Sequence, residues 1–275
     1  MVGTAAAAEL RSGGKLLVTD GVTSIEGASG GGLATWALIG GRATDAGIGG
    51  GVHATHVRTG RFDLTSYGLK IGLLDRIEFS YARQSFDTRG TGTLLGLGKG
   101  FTFGQHVFGA KVRVAGDAVY GPAWFPQIAI GVQHKVSDED AVVRAVGGRK
   151  TQGTDFIVSA TKIVFEYGVV AGVTARLTKA NQFGLLGFGG DRHRDSSVQF
   201  EGSIGKLITK RLVVGAEYRA KPNNLRFAHE SDALDIFAAY AVHRNMNLTA
   251  AYVDLGSIAT FDDQRGFYLS VQGAF

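Results

Sequence analysis

The last ten residues of the chain read Gly266-Phe-Tyr-Leu-Ser-Val-Gln-Gly-Ala-Phe275. Apolar and polar positions alternate along them with a period of two, which is the period of a β-strand with one apolar face. That face consists of Phe267, Leu269, Val271, Gly273 and Phe275. The sequence therefore predicts a final strand whose apolar face ends on a terminal aromatic residue.

The same alternation recurs along most of the chain, for example in Val107–Tyr120, Phe125–Lys135, Val169–Lys179 and Leu212–Arg219. One face of these segments carries Val, Ile, Leu, Ala, Phe and Tyr, and the other pairs charged residues with Gly. A soluble sandwich also alternates, but a charged face opposite a wholly apolar one is typical of a barrel with lipid outside and water inside. We therefore expect an all-β protein, a transmembrane antiparallel up-and-down β-barrel.

The composition excludes several other classes. Among 275 residues there are 42 Gly, 3 Pro and no Cys, so a collagen-like chain, a disulfide scaffold and a thiolate metal site are excluded. Basic residues are scattered singly, which argues against nucleic-acid binding. His53 and His56 are three residues apart and fall on opposite faces of a strand. We expect no metal and no cofactor.

The segments that alternate number fourteen, and this count favours fourteen strands. They are residues 15–25, 33–40, 47–58, 62–74, 76–86, 106–120, 125–136, 155–165, 169–179, 197–207, 211–220, 233–242, 246–254 and 266–275. Twelve strands are the alternative, with Lys15–Ile25 and one weak neighbour acting as a lumen plug or cover. In either case we expect a flexible N-terminal segment, residues 1–14, and a single barrel, residues 15–275.

The predicted connections alternate between short and long, as in outer-membrane barrels with short periplasmic turns and long extracellular loops. An even strand count then places both chain ends in the periplasm. The final strand also resembles the signal that the outer-membrane barrel-assembly machinery reads, although Gly273 stands where a large apolar residue is usual. The predicted membrane-insertion signal consists of Phe267, Leu269, Val271 and Phe275.

Three segments resemble an uncharacterised family of proteobacterial outer-membrane proteins, a domain-of-unknown-function family. They are Gly13–Gly32 (GGKLLVTDGVTSIEGASGGG), Ser66–Thr88 (SYGLKIGLLDRIEFSYARQSFDT) and Thr178–Asp191 (TKANQFGLLGFGGD). The resemblance implies a location in the bacterial outer membrane and supplies no activity. A looser similarity, to putative channels of aromatic-degradation operons and to transporters of hydrophobic substrates, concerns architecture alone.

The charged residues on the inward face have mixed signs. They are Lys70, Glu78, Lys111, Arg113, Asp117, Lys135, Arg176, Glu201, Glu217, Arg219 and Asp235. One interpretation is a polar lumen that conducts small solutes, with a slight basic excess that favours anions. The other is a network of salt bridges that fills a closed lumen.

Two of the predicted loops are unusually apolar. Their large residues are Leu94, Leu95, Leu97, Phe101, Phe103, Phe183, Leu185, Leu186 and Phe188. Exposed loops do not normally present so much apolar surface. The loops could fold inward as a constriction or as a site for an apolar ligand. Alternatively, they pack on each other as a lid or contact lipopolysaccharide or a partner.

These features favour a passive, porin-like channel for small solutes, either apolar or anionic, without enzymatic activity. The first alternative is a closed barrel that anchors a partner complex. The second is an outer-membrane hydrolase that uses His193 or His229 beside loop carboxylates, with Ser231 as nucleophile. The expected partners are the lipid bilayer, lipopolysaccharide, the barrel-assembly machinery during biogenesis and an unidentified small solute, with a protein partner as a further candidate.

Overall fold

The computed structural model describes residues 15, 21–42, 44–45 and 47–275, which form a closed antiparallel barrel of twelve strands and a segment inside it. The all-β transmembrane fold is confirmed. The preferred count of fourteen strands is wrong, and the alternative of twelve is confirmed. The predicted N-terminal segment, residues 1–14, lies outside the described residues.

The strands are β1 (Val22–Thr23), β2 (Ser29–Gly30), β3 (Ile48–Thr59), β4 (Asp63–Leu73), β5 (Ile77–Asp87), β6 (Thr102–Ala115), β7 (Gln127–Ser137), β8 (Gln152–Val164), β9 (Val169–Thr178), β10 (Ser197–Thr209), β11 (Leu212–Arg219), β12 (Ala233–His243), β13 (Met246–Asp254) and β14 (Arg265–Ala274).

The barrel consists of β3–β14, each paired with its neighbours in sequence. It closes where β14 pairs with β3, in a register that runs from Gly266 opposite Thr59 to Ala274 opposite Gly51. Closure leaves no strand edge exposed to lipid, where an unpaired backbone group would be costly. The predicted final strand thus forms half of the closing seam.

Residues 21–42, called the plug below, lie inside the barrel and are buried along their whole length. They contain the two-residue strands β1 and β2, which pair with each other rather than with the wall. The predicted barrel strand at 33–40 is therefore wrong, and residues 21–25 of the one predicted at 15–25 belong to the plug; residues 16–20 lie outside the described residues. A barrel strand has one lipid-facing side, whereas every described residue of the plug is covered on all sides, so its apolar residues do not need to alternate.

The outer surface of the barrel is apolar, and its inner surface is polar. Phe267, Leu269 and Val271 are exposed on β14, while the alternate residues Tyr268, Ser270 and Gln272 are buried. The other strands alternate in the same way. The described helices are each only a few residues long, and none of them could span a bilayer.

The two ends of the barrel differ in the length of their connections. One end, the short-turn end, has the turns 74–76, 165–168, 210–211 and 244–245 and the longer connection 116–126. The other, the long-loop end, has the short turn 60–62 and the loops 88–101, 138–151, 179–196, 220–232 and 255–264. These loops contain α1 (Thr91–Leu94), α2 (Asp140–Ala145) and the 3-10 helix Asn181–Gly184.

Candidate functional site

The plug is held in the lumen by one acidic side chain of its own, Glu26. Glu26 Oε1 lies 2.5 Å from Lys135 Nζ and accepts a hydrogen bond from Arg219 Nη2 at 2.8 Å. Glu26 Oε2 lies 3.5 Å from Arg176 Nη2. These three cations project inward from β7, β9 and β11, and we call them the cradle. All four side chains are almost completely buried.

Two carboxylates of the barrel wall complete this cluster. Asp155 Oδ2 lies 3.0 Å from Lys135 Nζ and 3.1 Å from Arg176 Nη1. Glu201 Oε1 accepts a hydrogen bond from Arg176 Nε at 2.6 Å and lies 3.5 Å from Arg219 Nε. Three buried cations therefore face three buried carboxylates, so the cluster is neutral only while Glu26 is in place.

Carboxylates of the wall also bind the backbone of the plug. Glu217 accepts hydrogen bonds from Leu33 N at 2.8 Å and from Trp36 Nε1 at 3.3 Å. Glu201 binds the amide of Thr35 at 2.7 Å. A Cβ at Gly31 would lie only 1.7 Å from Glu217 Oε1, so the glycine lets the plug backbone approach this carboxylate closely.

The same arrangement recurs around Glu78 on β5. Its carboxylate accepts hydrogen bonds from Ser29 N at 3.1 Å and Gly40 N at 2.6 Å, and it lies 3.2 Å from Lys111 Nζ. Lys111 in turn donates to the carbonyls of Ser29 and Trp36. Lys70 Nζ donates to Ser29 Oγ at 2.9 Å and to the carbonyl of Val22. Charged wall residues thus satisfy the buried backbone of the plug, as buried polar groups require.

The remaining predicted lumen residues lie in two other places. Asp235, on β12, is 4% exposed, and its Oδ2 faces the plug, since a Cβ at Gly32 would lie 3.4 Å from it. Arg113 and Asp117 lie at the short-turn end, where Arg113 Nη1 donates to Asp75 Oδ2 at 2.8 Å and to Asp117 Oδ2 at 3.3 Å. They line a small cavity of about 240 Å³ whose lining mixes charged and apolar residues. Asp117 follows the end of β6, and the next residue, Ala118, is buried.

The long-loop end encloses a larger cavity, of about 490 Å³, whose lining is almost entirely apolar. Its floor includes Ile25 and Leu33 of the plug, and its walls include α2 and the inward side chains Phe62 and Phe86. Thr88 and Gln182 are the polar residues of the lining, which includes no charged side chain among the described residues. A small apolar molecule would therefore fit here, and a bare charge would not.

The apolar loop residues singled out from the sequence divide into two groups. Those that line the cavity are Leu95, Leu97, Phe103, Phe183, Leu185 and Leu186. The others lie elsewhere: Leu94 is 70% exposed, Phe101 packs edge-on against Phe103, and Phe188 is buried beside Gly153. The sequence did not indicate that α2 and the plug would complete the lining.

Phe183 separates the apolar cavity from the cradle. Its ring lines the cavity and lies 4.4 Å from the guanidinium carbon of Arg219. Its carbonyl accepts hydrogen bonds from Lys135 Nζ at 3.2 Å and Gln105 Nε2 at 3.3 Å. Gln182 and Phe183 have φ angles of 46° and 59°, in a left-handed region that costs free energy for residues other than Gly.

A buried pair of loop residues fastens the loops above the cavity. Lys221 Nζ donates to the carbonyls of Leu255 and Ser257, both at 2.9 Å, and Glu230 accepts hydrogen bonds from the amide of Gln182. Burial lowers the pKa of Lys221 to about 8 and raises the pKa of Glu230 to about 7, while each partially offsets the shift of the other. The pair joins loops 179–196, 220–232 and 255–264.

The hydroxyl of Ser231, the nucleophile expected for a hydrolase, contacts the neighbouring loop 255–264. Ser231 Oγ accepts a hydrogen bond from Ser257 N at 2.7 Å, and Ser257 Oγ donates to the backbone carbonyl of His229. His53 is buried in the lumen, while His56 is on the outer face. Within the described ranges no three His, Cys, Asp or Glu side chains converge as metal ligands would.

Several residues of this site were missed by the sequence reasoning. Glu26 falls just beyond a segment taken for a strand, and Lys221 and Glu230 lie in a loop without periodicity. Asp155 did carry a signal, because it is in phase with the inward residues Ser159 and Thr161. Taken together, the geometry shows a charged lumen filled by the plug and an apolar cavity above it.

These features define a closed, plugged β-barrel of the transmembrane type. The chain belongs to a protein family of unknown function, DUF3034, whose model matches residues 19–272. The family expected from the sequence is thus confirmed, and the fold supports the expected outer-membrane location. No curated protein matches this chain in sequence.

Solved structures of two porins have a similar fold. The NanC porin has a TM-score of 0.52 and 12% identity, covering 82% of this chain and 98% of its own. The KdgM porin has a TM-score of 0.53 and 8% identity, covering 82% of this chain and 99% of its own. The KdgM porin in complex with disordered oligogalacturonate has a TM-score of 0.54 and 8% identity, covering 82% of this chain and 99% of its own. At such low identity the similarity concerns the fold.

Proposed function

We propose that the protein is an outer-membrane channel for small, mainly apolar solutes, and that the plug closes it until a solute binds. The observation that carries this proposal is the apolar cavity of about 490 Å³ at the long-loop end. This volume lies within the range of about 300–1,000 Å³ that small-molecule sites occupy. The long-loop end would be extracellular, so the cavity would be the entry site.

Two further observations support this function. The floor of the cavity is made by plug residues Ile25 and Leu33, so a bound solute contacts the segment that must move for passage. Among barrels of similar fold, the KdgM porin was solved in complex with disordered oligogalacturonate, which supports a solute-binding role. The chemistry of the present cavity is apolar rather than saccharide-like.

The test measures entry of N-phenyl-1-naphthylamine, an apolar dye that an intact outer membrane excludes, into cells that produce the protein. Entry should be faster than in cells without it. Ala145→Trp fills the exposed rim of the cavity and should return entry to the background. Leu94→Trp, on an exposed loop residue outside the lining, is the matched control. Equal entry with and without the protein would contradict the proposal.

A closed structural barrel is the second candidate. It is favoured by the complete burial of residues 21–42 and by the many charged contacts that hold them. Such a barrel would remain closed to ions under all conditions and would not speed dye entry. The dye measurement therefore separates the two candidates.

A further inference from the structure

The apolar cavity and the cradle are adjacent parts of one interior. Ile25 lines the floor of the cavity, and the next residue, Glu26, lies among Lys135, Arg176 and Arg219. Phe183 touches both, since its ring lines the cavity and faces Arg219 at 4.4 Å. A molecule in the cavity is thus separated from the cradle by one aromatic ring and one residue of the plug.

The charges of the cradle are compensated by Glu26 from the plug and by two carboxylates from the wall, Asp155 and Glu201. If the plug withdraws, Glu26 leaves with it, and three wall cations face two wall carboxylates. One positive charge of the cradle then has no carboxylate partner, which is unfavourable until another anion reaches it. A single carboxylate from another molecule would restore the balance.

The barrier between the two parts is itself in an unfavourable conformation. Gln182 and Phe183 are consecutive residues with left-handed φ angles, a state that persists only where the surrounding contacts impose it. Those contacts are the hydrogen bonds that the Phe183 carbonyl accepts from Lys135 and Gln105 and those that the Gln182 amide donates to Glu230. Because Lys135 also binds Glu26, displacement of Glu26 and movement of Phe183 are linked.

We infer that the cavity and the cradle together form one binding site for an amphipathic monocarboxylate. Its apolar body occupies the cavity, and its carboxylate replaces that of Glu26 between Lys135, Arg176 and Arg219. Binding therefore releases the plug. This inference rests on the proposed function and deepens it, since it names the substrate class that opens the channel.

The chain contains a natural reporter for this event. Trp36 lies buried in the plug and donates to Glu217, whereas Trp124, the other tryptophan, is 80% exposed. In a Trp124→Phe background, the fluorescence of Trp36 reports the movement of the plug. The full chain is reconstituted in lipid nanodiscs at neutral pH, and dissociation constants are measured by calorimetry for two probes of similar shape, 4-phenylbutyrate and 4-phenylbutanol.

The acid should bind about tenfold more tightly than the alcohol, or better, as a charge-assisted hydrogen bond predicts. Only the acid should shift the emission of Trp36. In Arg219→Met the dissociation constant of the alcohol divided by that of the acid should fall towards one. Arg113→Met, which changes an inward arginine at the other end of the barrel, should keep the wild-type ratio. In Glu26→Gln this ratio should increase, because the side chain keeps its shape but no longer offers a carboxylate that competes with the acid.

Each other outcome overturns a defined part of the account. If acid and alcohol bind equally, the carboxylate site is wrong while the channel for apolar solutes stands. If neither probe binds, both the inference and the proposed function fail. If Arg219→Met does not fold, Glu26→Gln decides, and an unchanged ratio in that variant overturns the inference.

Discussion

Arg219 on β11 donates a hydrogen bond of 2.8 Å to Glu26 of the plug, across 193 residues of sequence. Lys135 and Arg176 hold the same carboxylate from two other strands. A single acidic residue of the plug is thus tied to three strands of the wall. This makes Glu26 the contact that most directly couples the position of the plug to the barrel.

Glu26→Gln should loosen the plug. The substitution keeps the shape of the side chain but leaves three buried cations with two carboxylates, and breaking such a buried pair costs roughly 3–5 kcal/mol. We expect intermittent openings in planar-bilayer recordings where the wild type is silent. Glu166→Gln, at an exposed turn, should stay silent. Silence in both variants would mean that Glu26 does not hold the plug.

Gly72→Ala should displace the end of the plug by a steric route. Gly72 faces the lumen on β4, and a Cβ there would lie 2.0 Å from the carbonyl oxygen of Gly40. Because that neighbour is backbone, the plug must shift. In a Trp124→Phe background, acrylamide should quench Trp36 more strongly in this variant. Gly202→Ala, where a Cβ meets no atom within 4 Å, should leave the quenching unchanged, and equal quenching in both would contradict the close packing of the plug.

The stability of the long-loop end should depend on pH through Glu230. Burial raises its pKa to about 7 from an ordinary value of 4.5, so the folded state favours the protonated acid. The stabilisation is complete below pH 4.5 and is lost as the pH rises to about 7. Lys221, with a pKa of about 8, stays charged in this window.

Glu230→Gln is neutral at every pH and removes this dependence. Its unfolding midpoint in detergent should match the wild type near pH 4.5 and exceed it increasingly towards pH 7. The difference should be on the order of 3 kcal/mol, since one pKa unit corresponds to about 1.4 kcal/mol. A constant difference between the two proteins across this range would show that Glu230 does not titrate there.

Phe275→Ala tests the predicted insertion signal. The backbone of Phe275 exchanges hydrogen bonds with Gly50 and accepts one from Arg42, while its ring is 59% exposed on the outer face. Alanine keeps the backbone bonds and removes the ring. We expect less folded protein in the outer membrane of producing cells and unimpaired refolding in detergent. Phe200→Ala, with a ring of similar exposure on β10, is the control, and equal amounts of both variants would contradict the signal.

The barrel wall could be predicted from the sequence because each strand has one side in lipid and one in the lumen. This produces the alternation of Ile128, Ile130 and Val132 with Gln127, Gln133 and Lys135. The plug could not be distinguished in the same way. Leu33, Ala34, Trp36, Leu38 and Ile39 are buried on all sides, and residues without an exposed side carry no period that separates them from a strand.

The site was only partly predictable for a related reason. The alternation identified the charged side chains of the wall but not their partner, since Glu26 occupies its position through contacts with residues more than a hundred positions away. Likewise, Leu95 and Phe183 were recognisable as apolar loop residues. Their assembly with α2 and the plug depends on loop conformations that local sequence does not determine.

The most direct test of the account compares the ionic conductance of the full-length chain with that of a chain lacking residues 1–42. Both are refolded and shown to be closed barrels by their resistance to heat-induced unfolding on gels. We predict that the full-length protein is silent in a planar bilayer without solute and that the shortened barrel conducts steadily. Equal conductance in the two proteins would show that residues 21–42 do not close the lumen.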